Sequence, residues 1–293
     1  MTLPLWHHFA VSGVETWLWL PPLAALLISF FTSMVGISGA SLLVPFQMSV
    51  LGFASPSASA TNLVFNLLAI PGGLYRYGRE RRLFWPLALV ITAGGIPGVF
   101  LGAWLRTHVL ADRAAFEPFA AAVLGYLAWR MLRDVRAGTG SPQAAGPVSL
   151  TALGWREIRF RFGAAEHAFG VPLMLAFAFG VGAVGTAYGI GGGAFMVPLC
   201  LSVWRLPVHA IAGATLLATF LSSAIALIAY SVLPAPPGVA VRPDWALGLG
   251  FGLGGLVGAY LGARLQRRVP QAWLKGLLAL LLASLAVRYA WPG

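Results

Sequence analysis

The sequence is dominated by ten apolar segments that are nearly free of charged residues. They lie near residues 17–35, 40–53, 57–75, 83–105, 115–132, 169–187, 190–204, 207–232, 245–264 and 271–290. Windows of this kind are typical of bilayer-spanning helices rather than of a soluble core. Across the chain 59% of residues are hydrophobic and only 9% are charged, which leaves too few polar groups for an ordinary globular surface in water. The sequence therefore predicts an all-α polytopic membrane protein with about ten transmembrane segments.

The basic residues indicate how these segments are oriented. The net charge of +11 comes from short runs between the apolar segments rather than from a continuous basic face, so nucleic-acid binding is not expected. Segments two and seven are short and follow glycine-rich stretches, which predicts short broken helices that either cross at a tilt or form re-entrant hairpins. If both cross, 15 of the 19 Lys and Arg residues fall on one side. This asymmetry favours crossing, with the basic side in the cytoplasm and both termini in the periplasm of a bacterial inner membrane.

The two halves of the chain are copies of one unit. Matching blocks of the two halves are residues 35–45 with 188–198, residues 94–105 with 254–265, and Ala60-Thr61 with Ala214-Thr215. Five crossings per unit is an odd number, so the second copy is inverted relative to the first, as in many secondary transporters. The predicted organisation is a first repeat at 1–136, a cytoplasmic linker at 137–167 and a second repeat at 168–293.

Part of the linker has a distinctive pattern. Residues 155–162 interleave aromatic and basic side chains. This pattern is more typical of an anchor at the anionic inner headgroup region than of a partner-binding motif.

Residues suited to ligand binding lie at the paired glycine-rich breaks and beside them. Unwinding a helix inside the bilayer leaves backbone N–H and C=O groups that need partners, and the N-terminal end of the helix that follows attracts anions. The predicted substrate-binding residues are Ser38, Gly39, Ala40, Ser41, Thr61, Asn62, Asn66, Gly191, Gly192, Gly193, Ala194 and Thr215. Asn62 and Asn66 are four residues apart, which predicts that they share one face of segment three. Two alternatives stay open at this stage: the glycines serve only close helix packing, and the polar side chains serve only as hydrogen bonds between helices.

Other chemistry is not expected from this sequence. The five histidines lack metal-ligand spacing, and neither a catalytic triad nor a phosphate loop is present, so we predict no enzyme activity, no metal and no cofactor. The single cysteine, Cys200, is expected to fill apolar space, and His209 is expected to be structural rather than a proton carrier. Only Glu117 among the eight acidic residues lies within a predicted span, so no proton relay or sodium cage is evident.

The duplicated Gly-Ile-x-Gly-x-x-x-x-Val-Pro blocks, each followed by Ala-Thr, resemble the TauE/SafE group of membrane proteins, often called sulfite exporters. The resemblance covers nearly the whole chain and implies outward transport of sulfite, a sulfonate or a similar sulfur-containing anion. Gly189–Pro198 fits the pattern closely, whereas the first half has Ser38-Gly39-Ala40 in place of the glycine triplet. The two half-sites are therefore not expected to contribute equally. The alternatives are an anion channel and a membrane scaffold for a sulfur-metabolising enzyme.

Overall fold

Helices make up most of the protein in the computed structural model, which describes residues 6–34, 38–136, 148–265 and 271–291. The helices of this described part are α1 (Leu20–Met34), α2 (Ala40–Ser49), α3 (Pro56–Ala69), α4 (Pro71–Arg79), α5 (Trp85–His108), α6 (Arg113–Arg136), α7 (Val171–Tyr188), α8 (Gly193–Val203), α9 (Val208–Val232), α10 (Trp245–Leu265) and α11 (Gln271–Ala290). Each predicted apolar segment corresponds to one helix, except that the third is divided into α3 and α4. The division falls at Pro71, which has no N–H with which to continue the α3 hydrogen-bond ladder.

Five of the described helices are long and apolar enough to cross a membrane: α5, α7, α9, α10 and α11. The helix α1 is apolar but has only 15 residues. At segments two and seven, α2 has 10 residues and α8 has 11, so each is about 15–17 Å long and spans about half of a ~30 Å hydrocarbon core. These lengths agree with a multi-pass membrane protein, and ten crossings stay a prediction.

Two small antiparallel sheets, which were not predicted, flank the helices. One pairs β1 (Trp6–Phe9) with β2 (Val14–Trp17), and the other has the order β3 (Val148–Leu153), β4 (Glu157–Phe162), β5 (Ala165–Gly170). In β4 the apolar residues are buried and the alternate residues are exposed. The interleaved pattern at 155–162, interpreted above as a headgroup anchor, is thus also that of a half-buried strand. Residues 137–147 of the predicted linker lie outside the described residues.

Glycine-lined faces join each half of the chain to the other half. In α5, Gly94, Gly98 and Gly102 lie against the backbone of α7 at Leu175, Phe179 and Ala183. In α10, Gly254, Gly258 and Gly262 lie against the backbone of α1 at Pro22, Leu26 and Phe30. A Cβ atom at any of these glycines would collide with backbone atoms, and small residues are what allow helices in membranes to approach so closely. Each matching block therefore packs against the first helix of the opposite half.

The helix α3 lies in the interior of the bundle. It contacts α2, α7, α9 and α10, and residues 56–66 are buried without interruption. A helix that is buried on all sides belongs to the core of a large or membrane-embedded protein. Its polar residues therefore face protein rather than water.

Candidate functional site

Two junctions between consecutive helices, called the breaks below, lie at the glycine-rich stretches of the two halves. In the first half α1 ends at Met34 and α2 begins at Ala40; residues 35–37 lie outside the described residues. In the second half α7 ends at Tyr188 and α8 begins at Gly193. Gly189 and Gly191 have φ values of +95° and +76°, a left-handed backbone conformation that residues other than glycine rarely adopt. Glycine is thus required there by the backbone itself.

Asn62 connects the two interruptions. Its side-chain Nδ2 donates one hydrogen bond to the carbonyl of Ala40, at the start of α2, and a second to the carbonyl of Gly189, at the end of α7, both at 2.9 Å. Its side chain is fully buried. One amide on α3 therefore joins the break of the first half to the break of the second.

Asn66 lies one turn further along α3 and contacts Ile190, the residue that follows Gly189 in the second break. Its Nδ2 donates to the carbonyl of Ile190 and to Ser223 Oγ, each at 3.1 Å. The four-residue spacing places both asparagines on one helix face, as predicted. Ser222 and Ser223 of α9 also belong to this cluster, because Gly192 N–H donates to Ser222 Oγ at 3.1 Å.

Both asparagines keep a free oxygen in this interior. Asn62 Oδ1 and Asn66 Oδ1 are buried and have no hydrogen-bond partner among the described residues. Buried polar atoms are nearly always paired in folded proteins, so an unpaired atom marks a place where a ligand or water belongs. Other side chains in the described part that carry such atoms are Ser29, Gln47 and Thr186.

The first turn of α2 is bonded to its own residues. Ser41 N–H and Ser41 Oγ both donate to the carbonyl of Ser38, and Ala40 N–H donates to Ser38 Oγ at 3.3 Å. Leu42 N–H donates to the carbonyl of Gly39 at 3.1 Å. An anion at this end would have to exchange these local bonds for its own. In α8, Ala194 lies in the first turn beside Gly193.

The predicted threonines lie in two different places. Thr215 donates to the carbonyls of Ile211 and Ala212 within α9, and its own carbonyl lies against Gly193 at the start of α8. Thr61 instead accepts a hydrogen bond from Asp244 N–H at 2.9 Å, at the start of α10. Adjacent residues of a helix point about 100° apart, which is why Thr61 does not share the environment of Asn62.

A buried arginine, which was not among the predicted site residues, lies near the cluster. Arg106 lies inside α5 and is fully buried. It donates to Ser59 Oγ and to the carbonyls of Ala54 and Leu110, and its guanidinium stacks 3.8 Å from the ring centroid of Phe116. The signal that could have found it is its position directly after the glycine block at 94–105, in helical register with it.

The remaining histidine and cysteine predictions concern residues outside this cluster. Within the described ranges, no group of three or more His, Cys, Asp or Glu side chains lies close enough to hold a metal ion. Cys200 is buried in α8 as a free thiol. For His209 the structure describes only its place in α9.

Comparison with known proteins shows to which family the chain belongs. The family model described as "Sulfite exporter TauE/SafE" matches residues 22–289, which includes both helix breaks and every residue of the cluster. Comparison with curated proteins and with solved structures found no match. Since the family match spans nearly the whole chain, this multi-pass membrane protein belongs to the TauE/SafE family of sulfite exporters.

Proposed function

We propose that the protein exports a small sulfur-containing anion, such as sulfite or a sulfonate, across a bacterial cytoplasmic membrane. The anion binds between the two helix breaks. The observation that carries the proposal is the contact of Asn62 with Ala40 and Gly189, because it brings both breaks to one buried point inside the membrane-embedded part. The family match supports transport as the activity.

An inverted repeat is part of this proposal. It is supported by the exchange of glycine contacts, in which α5 packs on α7 and α10 packs on α1 at positions that correspond in the two halves. Transporters with inverted repeats bind substrate at the repeat interface, where broken helices direct their N-terminal ends at anionic groups. The cluster around Asn62 and Asn66 lies at that interface.

The start of α8 supplies the attraction for negative charge. A helix N-terminus carries partial positive charge from its unpaired N–H groups, and α8 begins at Gly193, three residues after the Ile190 carbonyl that Asn66 contacts. Gly193 also serves packing, because a Cβ there would collide with Thr215 and Thr219. At Gly192 a Cβ would meet its nearest atoms at ordinary contact distances, 3.6 Å and beyond, so a methyl group fits there without a clash.

Flux measurements test this function. Purified protein in liposomes should give efflux of sulfite or a sulfonate that saturates with concentration and is accelerated by the same anion on the opposite side. Saturation with counterflow is the behaviour of a transporter. Flux that rises without saturation would assign the protein as a channel, and no flux of any sulfur anion would favour a scaffold.

A further inference from the structure

The free hydrogen-bonding groups of Asn62 and Asn66 are acceptors rather than donors, whereas the unpaired hydroxyls of Ser29 and Thr186 can also donate. Asn62 Oδ1 and Asn66 Oδ1 are buried and have no partner among the described residues. The donors of the same two amides are already used, because each Nδ2 makes two hydrogen bonds. An amide nitrogen has only two hydrogens to donate, so neither side chain has a donor left for a bound anion.

The orientation of the two amides is fixed by their partners. Nδ2 of Asn62 faces the carbonyls of Ala40 and Gly189, and Nδ2 of Asn66 faces the carbonyl of Ile190. Rotating either amide by 180° would place Oδ1 about 3 Å from a carbonyl oxygen, and a carbonyl cannot donate a hydrogen bond. The free positions are therefore oxygen atoms.

These two acceptors lie beside the end of a helix that attracts negative charge. Asn62 and Asn66 contact the consecutive residues Gly189 and Ile190, and α8 begins three residues later at Gly193. The place considered for a substrate therefore combines a nearby positive helix end with two acceptors that have no partner among the described residues. An anion with acceptors only can interact with the helix end and leaves the two oxygens unpaired.

We propose that the site selects monovalent anions that carry their own hydrogen-bond donor, such as a hydroxyl, an ammonium or an acidic proton. The donor pairs with Asn62 Oδ1 or Asn66 Oδ1, and the charged end of the anion lies toward the start of α8. The inference rests on the proposed function and narrows its substrate class. A protein site built to pair a substrate hydroxyl discriminates strongly against the analogue that lacks it, because its own polar group is then left unpaired.

Two sulfonates that differ by one hydroxyl test the inference. Ethanesulfonate and 2-hydroxyethanesulfonate have the same charge and the same carbon skeleton. Calorimetric titration and thermal-shift measurements on the purified protein should give a dissociation constant at least about tenfold lower for the hydroxylated anion, which corresponds to about 1.4 kcal/mol. The ratio of the two constants is the measured quantity, and a partial loss of folded protein does not change it.

Variants at Asn66 identify the group responsible. Asn66→Leu removes the acceptor, and we expect the preference to fall toward one. Asn66→Asp keeps an acceptor and adds a negative charge, so both anions should bind more weakly while the preference persists. Thr107→Val is the control, because Thr107 is buried and its hydroxyl donates to carbonyls of its own helix α5, and it should leave the preference unchanged.

The outcomes separate this inference from the proposed function. Saturable sulfite flux with no preference between the two sulfonates, including the case in which neither binds, overturns the inference: the two oxygens then hold water only. A preference that survives Asn66→Leu and a matching Asn62→Leu also overturns it. Absence of saturable flux for every sulfur anion overturns the proposed function instead.

Discussion

The glycines at the two breaks differ in what surrounds them, and this separates packing from binding residue by residue. Gly191 needs its left-handed backbone, and a Cβ atom there would lie only 2.9 Å from Ser223 Oγ. A Cβ at Gly39 would meet Ser29 and Phe65, and one at Gly193 would meet Thr215 and Thr219. Gly192 alone of these four has room for a methyl group and an ordinary helical φ of −68°. Close packing thus accounts for glycine at positions 39, 191 and 193. It does not account for Gly192.

A pair of glycine substitutions tests this difference. Gly193→Ala should lower the free energy of unfolding by about 1–3 kcal/mol, because the added methyl collides with the backbone of Thr215 and overpacking costs energy of this size. Gly192→Ala should be tolerated within about 1 kcal/mol. Thermal unfolding in detergent measures both. Equal destabilisation by the two variants would contradict the steric distinction.

Arg106 is a structural link in the same region. Its hydrogen bonds hold the loop after α2, through Ala54, and the residues after α5, through Leu110. It lies at the C-terminal end of α5, where the helix dipole favours a positive charge. Among the described residues it forms no ion pair with a carboxylate. Its charge is instead balanced by two carbonyls, the Ser59 hydroxyl and the ring of Phe116.

Replacing Arg106 should therefore destabilise the protein. Arg106→Gln removes the donor to the buried Ser59 Oγ and to the half-buried carbonyls of Ala54 and Leu110, and each buried acceptor left unpaired costs about 1–3 kcal/mol. Arg242→Gln is the control, because Arg242 is exposed, and surface charges contribute within about 1 kcal/mol. Urea or thermal unfolding compares the two. A loss for Arg106→Gln no larger than that of the control would show that its contacts do not stabilise the fold.

At the scale of elements, the order of helices follows from the sequence, but the contacts of α3 do not. The apolar windows predicted where helices lie, and the four-residue spacing predicted that Asn62 and Asn66 share a face. Their partners are backbone carbonyls of Ala40, Gly189 and Ile190, and a carbonyl carries no signature in the sequence. Likewise, the predicted fourth segment stops at residue 105 and leaves Arg106 out, whereas α5 continues to His108 and neighbouring carbonyls accept hydrogen bonds from Arg106 inside the helix.

The sheet of β3, β4 and β5 offers an element-scale test. Phe160 is fully buried, with its ring centroid 4.8 Å from that of Phe84 at the start of α5. Phe160→Ala should loosen the sheet, because a large buried ring contributes several kcal/mol, and trypsin should then cleave faster after Arg159 and Arg161. Trp155→Ala is the control, since Trp155 is 75% exposed. Unchanged cleavage in Phe160→Ala would mean that the sheet is not held by this contact.

At the scale of the whole molecule, packing and charge bear on different parts of the predicted orientation. The glycine contacts show that corresponding helices of the two halves pack in the same way, as expected for a repeat related by a two-fold axis, and five crossings per half would place both termini on one side. The basic residues gather on the other predicted side, with 15 of 19 between the predicted cytoplasmic ends. The charge asymmetry is therefore what predicts periplasmic termini.

Reporter fusions test the orientation. A reporter that is active only in the cytoplasm should be silent when fused after Gly293, and active when inserted in the linker near residue 142, because the positive-inside rule assigns these positions to opposite sides. A periplasmic reporter should give the reverse pattern. Activity of the cytoplasmic reporter at both positions would mean that the second half crosses the membrane an even number of times. That result would contradict the inverted repeat.

We expect the membrane potential to drive the proposed export of the anion. The buried cluster around Asn62 and Asn66 is built from amides, hydroxyls and backbone groups rather than carboxylates, so a monovalent anion should cross with its charge uncompensated. An inside-negative potential favours its exit by about 2.3 kcal/mol per 100 mV. In liposomes loaded with the anion, imposing this potential with a potassium gradient and valinomycin should accelerate efflux, and collapsing it should slow efflux to the rate set by concentration alone. Protein-free liposomes are the control. An efflux rate that does not depend on the potential, together with a change of pH inside the liposomes, would contradict this prediction. It would show that a proton moves with the anion and that the transport cycle is electroneutral.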